Sequence, residues 1–490
     1  MSVMGILIRE HQETCLTLKK EHGDEVEKHY LTADVFQQID PANVRLFKKE
    51  RGKNIYPYKI DAVGETIRVR ANYYIGIDWL VPSERYLYVE PKVNSAISDC
   101  FEKQVHFDES DDAAIEKLED QTKNKISESA SKRLNYLQML LNVMVDSDLS
   151  KHCSNLVLID WEAQRISIEQ ENDHLTPFLI IQFLQLTRQI VRKGLKKSYY
   201  KVEENLDNRI KGKILVGQHI KQNVFKNRLT QTYCQYQVFG IDNLENRFLK
   251  MVLRFVSSYI DNHHALFEES NFLIKQLMGY IRPAFESVRE STDEDIRHLK
   301  HNPFFKEYKE AIQIGQYILQ RFAYHISNTS KEQRETPPFW IDMPRLFELY
   351  VYKKLLEANP CDTAKIKYQF STYGNALDIL VKDGHQSIII DAKYKIHYKN
   401  SHIHQDIRQV AGYARLRKVR EALGLKDEQD QHINCLIIYP DMEKGLDLEK
   451  VKELDDIFSL DAIRKCMNSD NNKIQAYHKV YKIGVKIPAL

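Results

Sequence analysis

Two apolar runs on either side of an Asp-Gly pair constrain this chain most. Residues 375–395 read NALDILVKDGHQSIIIDAKYK, and the pair lies at positions 383–384. An Asp-Gly dipeptide between apolar runs favours a β-hairpin with a two-residue turn. Such a turn makes Lys382 face His385, and this fixes the register of the two predicted strands.

The predicted register brings three charged side chains onto one face of the hairpin. Asp378 lies opposite Ile389, and side chains alternate between the two faces of a strand. Asp378, Asp391 and Lys393 therefore project from the same face. The two aspartates become diagonal neighbours, roughly 7–8 Å apart at the backbone.

Two carboxylates and an ammonium group at the end of an isoleucine run are costly to bury unless they are paired or bind a metal. Mg²⁺, with Mn²⁺ as an alternative, suits such hard oxygen ligands because it takes few from protein and the rest from water or phosphate. A bound Mg²⁺ lowers the pKa of a coordinated water and polarises a phosphoryl group. The alternative is an ordinary Asp–Lys pair at the solvent-facing edge of a hairpin.

Two predicted helices flank the hairpin and carry further candidate residues. Glu348 lies in MPRLFELYVYKKLLEAN, where it either joins the site or is a surface charge beside Lys353 or Lys354. Gln409 lies three residues after Asp406 and four before Tyr413, so the three share a helical face. This helix either packs near the hairpin carboxylates or is simply amphipathic with a polar edge.

The pattern along the whole chain predicts a multi-domain α+β protein. Residues 1–95 are β-rich, 96–130 form a charged insertion, and 131–330 are mainly helical. Residues 338–490 show the order helix, three strands, helix, strand, which predicts a C-terminal α/β domain. A chain of 490 residues exceeds what one hydrophobic core usually supports.

Composition excludes several classes of protein. The sequence has no long apolar run, so we expect no membrane span. Its seven cysteines stand singly, which argues against a zinc ribbon and fits reduced thiols in a cytoplasmic protein better than a disulfide framework. It has no GxxxxGK[ST] motif, so we expect the chain itself to bind no nucleotide. A net charge of +2 lacks the large basic excess of proteins that hold nucleic acid alone.

Several of these segments together resemble a known family. LFELYVYKKLL, LDILV, IIIDAKYK and QDIRQVAGYA resemble the PD-(D/E)xK nuclease superfamily, whose catalytic domain has a restriction-endonuclease-like α/β fold. More closely, the chain resembles the McrC family, the nuclease subunit of McrBC-type modification-dependent restriction systems. The upstream segments that share this likeness are YYIGIDWLVPSERYLYVEPKV, RIKGKILVGQHI and FGIDNLENRFLKMVL.

The resemblance implies a role for each candidate residue. Asp378 and Asp391 correspond to metal ligands, and Lys393 corresponds to the catalytic lysine. Glu348 matches an acidic residue that adds a ligand directly or through water. Gln409 lies on a helix that, in the superfamily, packs near the metal and touches the DNA backbone or the attacking water.

The resemblance also implies partners. The substrate is double-stranded DNA carrying modified cytosine, and the partner is a McrB-like hexameric AAA+ GTPase that the chain stimulates. Residues 40–95 are the candidate element for contacting that ring, and an ordinary solvated hairpin is the alternative there. Two other functions stay open at this point. One is a stand-alone PD-(D/E)xK DNA nuclease of another defence or repair pathway, and the other is a non-catalytic activator of a motor ATPase.

Overall fold

A computed structural model gives the fold of most of the chain. The predicted charged insertion at 96–130 lies outside the residues that it describes. The described residues are 4–10, 12–18, 30–50, 53–91, 134–146, 148–153, 156–169, 175–290, 306–327, 333–372, 375–394, 400–425, 432–440, 457–469, 472–474 and 477–488.

The described residues contain the following strands and helices. The strands are β1 Met4–Arg9, β2 Glu13–Leu18, β3 Tyr30–Leu31, β4 Lys48–Glu50, β5 Lys53–Ile55, β6 Tyr58–Val63, β7 Thr66–Ala71, β8 Tyr74–Val81, β9 Arg85–Glu90, β10 Val157–Ile159, β11 Ile166–Glu169, β12 Ser198–Asp207, β13 Lys213–Ile214, β14 Gln231–Gly240, β15 Gln333–Thr336, β16 Phe339–Asp342, β17 Ile366–Thr372, β18 Asn375–Val381, β19 Ile388–Ala392, β20 Asn434–Pro440 and β21 Val480–Val485. The α-helices are α1 Ala33–Gln38, α2 Tyr136–Val145, α3 Leu175–Lys193, α4 Val216–Gln222, α5 Leu244–Asn262, α6 His264–Phe267, α7 Asn271–Ile281, α8 Lys306–Ser327, α9 Met343–Ala358, α10 Asn400–Tyr413, α11 Arg417–Ala422 and α12 Leu460–Met467.

The chain divides into two compact units. The larger unit comprises Met1–Val143, Asp148–Ile168 and Glu335–Leu490. The smaller unit comprises Met144–Ser147 and Glu169–Arg334. The N-terminal strands and the C-terminal α/β segment thus belong to the same unit, while the domain boundaries inferred from sequence stay predictions.

A mixed five-stranded sheet organises the C-terminal part of the larger unit. Its strand order is β17-β18-β19-β20-β21, with antiparallel pairs up to β19 and parallel pairs from β19 to β21. The first helix, α9, packs against β19, and α10 packs against β19 and β20. All five residues of β19 are buried, as expected for a central strand covered on both faces. The order helix, three strands, helix, strand matches the sequence prediction, which did not include α12 and β21.

The predicted two-residue turn between β18 and β19 was wrong. Val381 pairs with Ile388, and a short 3₁₀ helix occupies 384–386 between the strands. The wider turn is stabilised locally, because Asp383 N donates to Ser387 Oγ at 3.0 Å. The Asp383 carboxylate also forms ion pairs with Lys365 and Arg464. The register moves by two residues, and an even shift leaves each side chain on its predicted face.

A second five-stranded sheet joins the N-terminal strands to the start of α9. Its order is β1-β9-β8-β16-β10, and β16 leads directly into the helix. Asp342 caps α9 by accepting a hydrogen bond from Arg345 N, and it also binds Lys48 Nζ at 2.8 Å. Pro344 lies in the first turn of α9, where its missing N–H breaks no helical hydrogen bond. The N-terminal strands therefore fix the helix that carries Glu348.

The smaller unit combines helices with a three-stranded sheet. In it, α8 packs against α3 and α5, and β12 and β14 form a ten-residue antiparallel ladder. Asn243 caps the start of α5 by accepting a hydrogen bond from Asn246 N. No helix in the described parts of the chain combines the length and the apolar surface that crossing a bilayer needs.

Replacing Gly76 with alanine should disrupt the junction of β8 and β16. Gly76 has a φ of +151°, and a Cβ there would overlap the carbonyl oxygen of Phe339 on the paired strand. Because that neighbour is backbone, we expect Gly76→Ala to cost about 2–4 kcal/mol of unfolding free energy by chemical denaturation. Gly64→Ala is the control, since Gly64 also has a positive φ but open space around its Cβ. Equal losses in the two variants would contradict this packing.

Candidate active site

The two hairpin aspartates lie directly opposite each other rather than diagonally. The β18–β19 ladder pairs Ile379 with Ile390, so the next residues along the two strands are Asp378 and Asp391. Cross-strand partners on one face have Cβ atoms about 4.5–5.5 Å apart. Asp378 Oδ2 also accepts a hydrogen bond from Ala392 N at 2.8 Å, which turns its carboxylate towards β19. The corrected register therefore brings the two acids closer than the predicted one.

Lys393 lies beside this pair. Its Nζ is 2.9 Å from Asp391 Oδ2, and the two side chains are 16% and 1% exposed. Its backbone N donates to Ile438 O at 2.8 Å, so the residue continues the β19–β20 ladder. The structure thus brings together the three residues that the hairpin pattern places on one face.

The helix α10 adds Gln409 to the site. Lys393 Nζ donates to Gln409 Oε1 at 3.3 Å, and Gln409 Nε2 donates to the hydroxyl of Tyr413 at 2.5 Å. Gln409 and Tyr413 are four residues apart and share a helical face, as predicted. The chain from lysine to amide to phenol limits the rotamers of the lysine and ties it to the helix.

Glu348 lies on α9 and is half-buried. Burial raises the pKa of its carboxyl, the charge on Asp391 adds to the rise, and Arg345 opposes it. The alternative of a surface charge paired with Lys353 or Lys354 is not what the structure has, because both lysines pair with Glu357. Glu348 is therefore electrostatically coupled to the hairpin acids.

Burial and mutual repulsion dominate the electrostatics of the hairpin acids. Burial raises the pKa of Asp378 well above its usual range, and the charges on Asp391 and Glu348 add to this. Burial also raises the pKa of Asp391, while Lys393 opposes the rise. Burial lowers the pKa of Lys393, but the surrounding carboxylates raise it by more, so the ammonium stays protonated. A cation placed between the acids relieves their repulsion.

The donor set fits a hard divalent cation. Both carboxylate oxygens of Asp391 are buried and accept no well-aligned hydrogen bond, so the contact with Lys393 is an ion pair that leaves coordinating lone pairs available. Within the described residues, no group of three or more His, Cys, Asp or Glu side chains is arranged to hold a metal ion. Two protein carboxylates with water and phosphate completing the shell match the habit of Mg²⁺. Glu348 then suits a water-mediated contact.

Asp406 is a further acid of this site that was not selected from the sequence. It lies on α10, is 5% exposed, and its charge raises the pKa values of both Asp391 and Lys393. The sequence did indicate that Asp406 shares a helical face with Gln409, because the two are three residues apart. The spacing alone did not show that this face meets the end of β19.

Asp378→Asn should stabilise the metal-free protein, because it removes one of the two repelling carboxylates. A buried acid with a raised pKa contributes stability that is present below its ordinary pKa of about 4 and is lost as pH rises through the higher folded value. Near pH 7 without divalent cations, the variant should be more stable by about 1–2 kcal/mol in thermal or denaturant unfolding.

Added Mg²⁺ provides the second half of this measurement. It should raise the unfolding temperature of the unsubstituted protein, because a ligand that binds only the folded state stabilises it by mass action. Asp378→Asn should respond weakly, since it lacks one of the two facing carboxylates. Equal stability of both proteins from pH 4 to 8, or an equal response to Mg²⁺, would contradict the account of the site.

Comparison with known proteins assigns the chain to a family. No curated protein sequence matches it. Two solved structures from Thermococcus gammatolerans are similar to it. One is a half-complex of McrB AAA+ hexamers with bound McrC, at 14% identity and a TM-score of 0.34, and the alignment covers 90% of this chain and 88% of that one. The other is the McrBC complex, at 13% identity and a TM-score of 0.25, and the alignment covers 72% of this chain and 88% of that one. The family model for the McrBC 5-methylcytosine restriction system component matches residues 69–423, which is more than half of the chain. Because the match covers more than half of its residues, this chain belongs to the McrBC family.

Proposed function

We propose that the chain is the endonuclease subunit of a McrBC-like, modification-dependent DNA restriction system and cleaves phosphodiester bonds with Mg²⁺. The observation that carries the proposal is the pair of facing acids, Asp378 and Asp391, with Lys393 Nζ 2.9 Å from the second. Family membership supports the setting, because the matching family is a component of a 5-methylcytosine restriction system.

The topology around these residues supports membership of the PD-(D/E)xK superfamily. The site lies just past the last residue pair of the β18–β19 ladder, on a sheet that follows α9 in the chain and has α10 between β19 and the parallel strand β20. In the PD-(D/E)xK pattern, an acid on one strand lies beside an Asp-x-Lys on the next strand, and here these are Asp378 on β18 and residues 391–393 at the end of β19. The site residues therefore come from consecutive elements of one small α/β segment.

Each residue contributes a distinct part of the proposed chemistry. A bound Mg²⁺ supplies an activated water and a polarised phosphoryl group. Asp378 and Asp391 hold that ion with adjacent carboxylate oxygens. Lys393 presents a fixed positive charge that can orient the attacking water or offset charge on the phosphate. Gln409 accepts a hydrogen bond from the lysine and keeps its ammonium group beside Asp391.

A partner completes the proposed function. We assign recognition of double-stranded DNA with modified cytosine, and translocation on it, to a McrB-like hexameric AAA+ GTPase that this chain stimulates in the cytoplasm. The net charge of +2 supports this division, because holding DNA alone usually needs a large basic excess. Residues 40–95 remain the candidate contact; Lys53 and Asn54 of β5 are exposed there, and Phe47 packs against Tyr74.

Asp391→Ala should abolish Mg²⁺-dependent cleavage of methylated DNA by the chain mixed with its AAA+ partner. Lys393→Ala should reduce the rate by on the order of 10²–10³-fold, the usual loss when one charge-stabilising donor is removed. Asp461→Ala is the matched control, because this aspartate lies in the same sheet domain but its side chain is 84% exposed. The rates are measured on methylated and unmethylated duplexes, with the motor present and absent.

Three outcomes would overturn parts of the proposal. Unchanged cutting by Asp391→Ala would make the chain a non-catalytic activator of its motor. Robust cutting by the isolated chain would favour a stand-alone nuclease of another defence or repair pathway. Absence of cutting on both substrates, with the motor and Mg²⁺ present, would remove the endonuclease assignment altogether.

A further inference from the structure

We propose that Glu10, at the end of the first N-terminal strand, is a positioning residue for Lys393. It holds Tyr394, the next residue along the chain, and so links the N-terminal sheet to the cleavage site. The inference rests on the proposed function for its catalytic consequence. The structural link itself stands on contacts within the larger unit.

The contact between Glu10 and Tyr394 is buried on both sides. Glu10 is 0% exposed and Tyr394 is 3% exposed, and the Tyr394 hydroxyl donates to Glu10 Oε2 at 2.8 Å. The two residues are 384 positions apart in the sequence. Glu10 N donates to Glu90 O at 2.9 Å, so its backbone extends the β1–β9 ladder and is not free to follow the tyrosine.

The hydrogen bond is of a strong type. Burial raises the pKa of the Tyr394 phenol well above its ordinary value, and the charge on Glu10 raises it further. The phenol therefore stays protonated near neutral pH and donates to Glu10. Hydrogen bonds to a buried carboxylate are shorter and stronger than those between neutral groups.

This anchor lies next to the lysine that the cleavage site needs. The strand β19 ends at Ala392, and Lys393 N still bonds to Ile438 O on β20. Tyr394 then packs its ring against Phe347, with centroids 6.0 Å apart, and points its hydroxyl at Glu10. Lys393 is thus held between a ladder bond on one side and a tyrosine anchor on the other.

Tyr73 links the N-terminal strands to the start of α9. It lies between β7 and β8, and its carbonyl oxygen accepts a hydrogen bond from Met343 N at 3.3 Å. Burial raises the pKa of its phenol, and the charges on Glu10 and Asp406 both add to this. The N-terminal strands therefore contact the start of α9 through Tyr73 and the end of β19 through Glu10, and Asp406 of α10 lies near enough for its charge to act on Tyr73.

The test compares Glu10→Ala, Tyr394→Phe and Glu10→Gln in the full-length chain. The first two remove the acceptor or the donor, whereas glutamine keeps an amide oxygen that accepts the phenol hydrogen. Tyr308→Phe is the control, because it removes a buried tyrosine hydroxyl that donates to Asn246 Oδ1 at 2.7 Å in the smaller unit. Two readouts are taken: amide hydrogen exchange in peptides covering 388–394, and kcat and KM for DNA cleavage with the motor.

Glu10→Ala and Tyr394→Phe should speed exchange in 388–394 and lower kcat by roughly ten- to a hundredfold, as expected for a misplaced reacting group, with KM nearly unchanged. Glu10→Gln should restore both readouts, and Tyr308→Phe should leave both as they are. Unchanged exchange and unchanged kcat in the first two variants would overturn the inference, as would equal effects of the control.

The two readouts separate this inference from the proposed function. If the unsubstituted chain does not cut DNA, the endonuclease proposal fails while hydrogen exchange still decides whether Glu10 holds the segment. If the unsubstituted chain cuts and Glu10→Ala changes neither readout, the endonuclease proposal survives and the positioning role of Glu10 is rejected.

Discussion

Two carboxylates that face each other across adjacent strands in a buried place repel each other, and the rest of the site is arranged around that repulsion. Asp378 and Asp391 cannot both be ionised there at low energetic cost without a cation. Lys393 neutralises part of the charge at 2.9 Å, but it leaves the Asp391 oxygens without well-aligned hydrogen bonds. A further positive charge between the two carboxylates would therefore stabilise the arrangement, and the proposed divalent ion is such a charge.

The fold makes this arrangement rigid. The central strand β19 is buried on both faces, so the isoleucines that precede Asp391 cannot slip without exposing apolar surface. On one side α9 is capped by Asp342, which the N-terminal region holds through Lys48. On the other side α10 contributes Gln409 and Asp406. The repulsion between the two acids lowers the free energy of unfolding, and the packing of these elements offsets that loss.

Sequence reasoning was sufficient for what depends on local periodicity. Alternation along β18 and β19 placed Asp378, Asp391 and Lys393 on one face, and this survived an error in the turn because the register shift was even. Helical spacing likewise put Gln409 on the same face as Tyr413. The turn itself was mispredicted, because Asp383 forms ion pairs with Lys365 and Arg464 in the wider turn. Neither partner is near Asp383 in the sequence, so the local pattern did not indicate them.

What sequence reasoning missed depends on contacts between distant segments. Nothing near Glu10 in the sequence indicates that it meets Tyr394, because a lone glutamate after a short strand is usually solvated. Asp406 was visible as part of a polar helical face, but only the packing of α10 on β19 brings it to the lysine. Likewise, the β-rich pattern of residues 1–95 did not indicate that these strands share one compact unit with the candidate site.

The most direct test of the central claim is the position of a divalent ion in crystals of the chain grown with Mn²⁺ and read from its anomalous scattering. The account predicts a peak between the carboxylates of Asp378 and Asp391, at coordination distances of about 2.0–2.2 Å. The same peak should be absent from crystals of Asp378→Asn. Saturating Mn²⁺ with no peak at these two side chains, in an otherwise ordered site, would contradict the account.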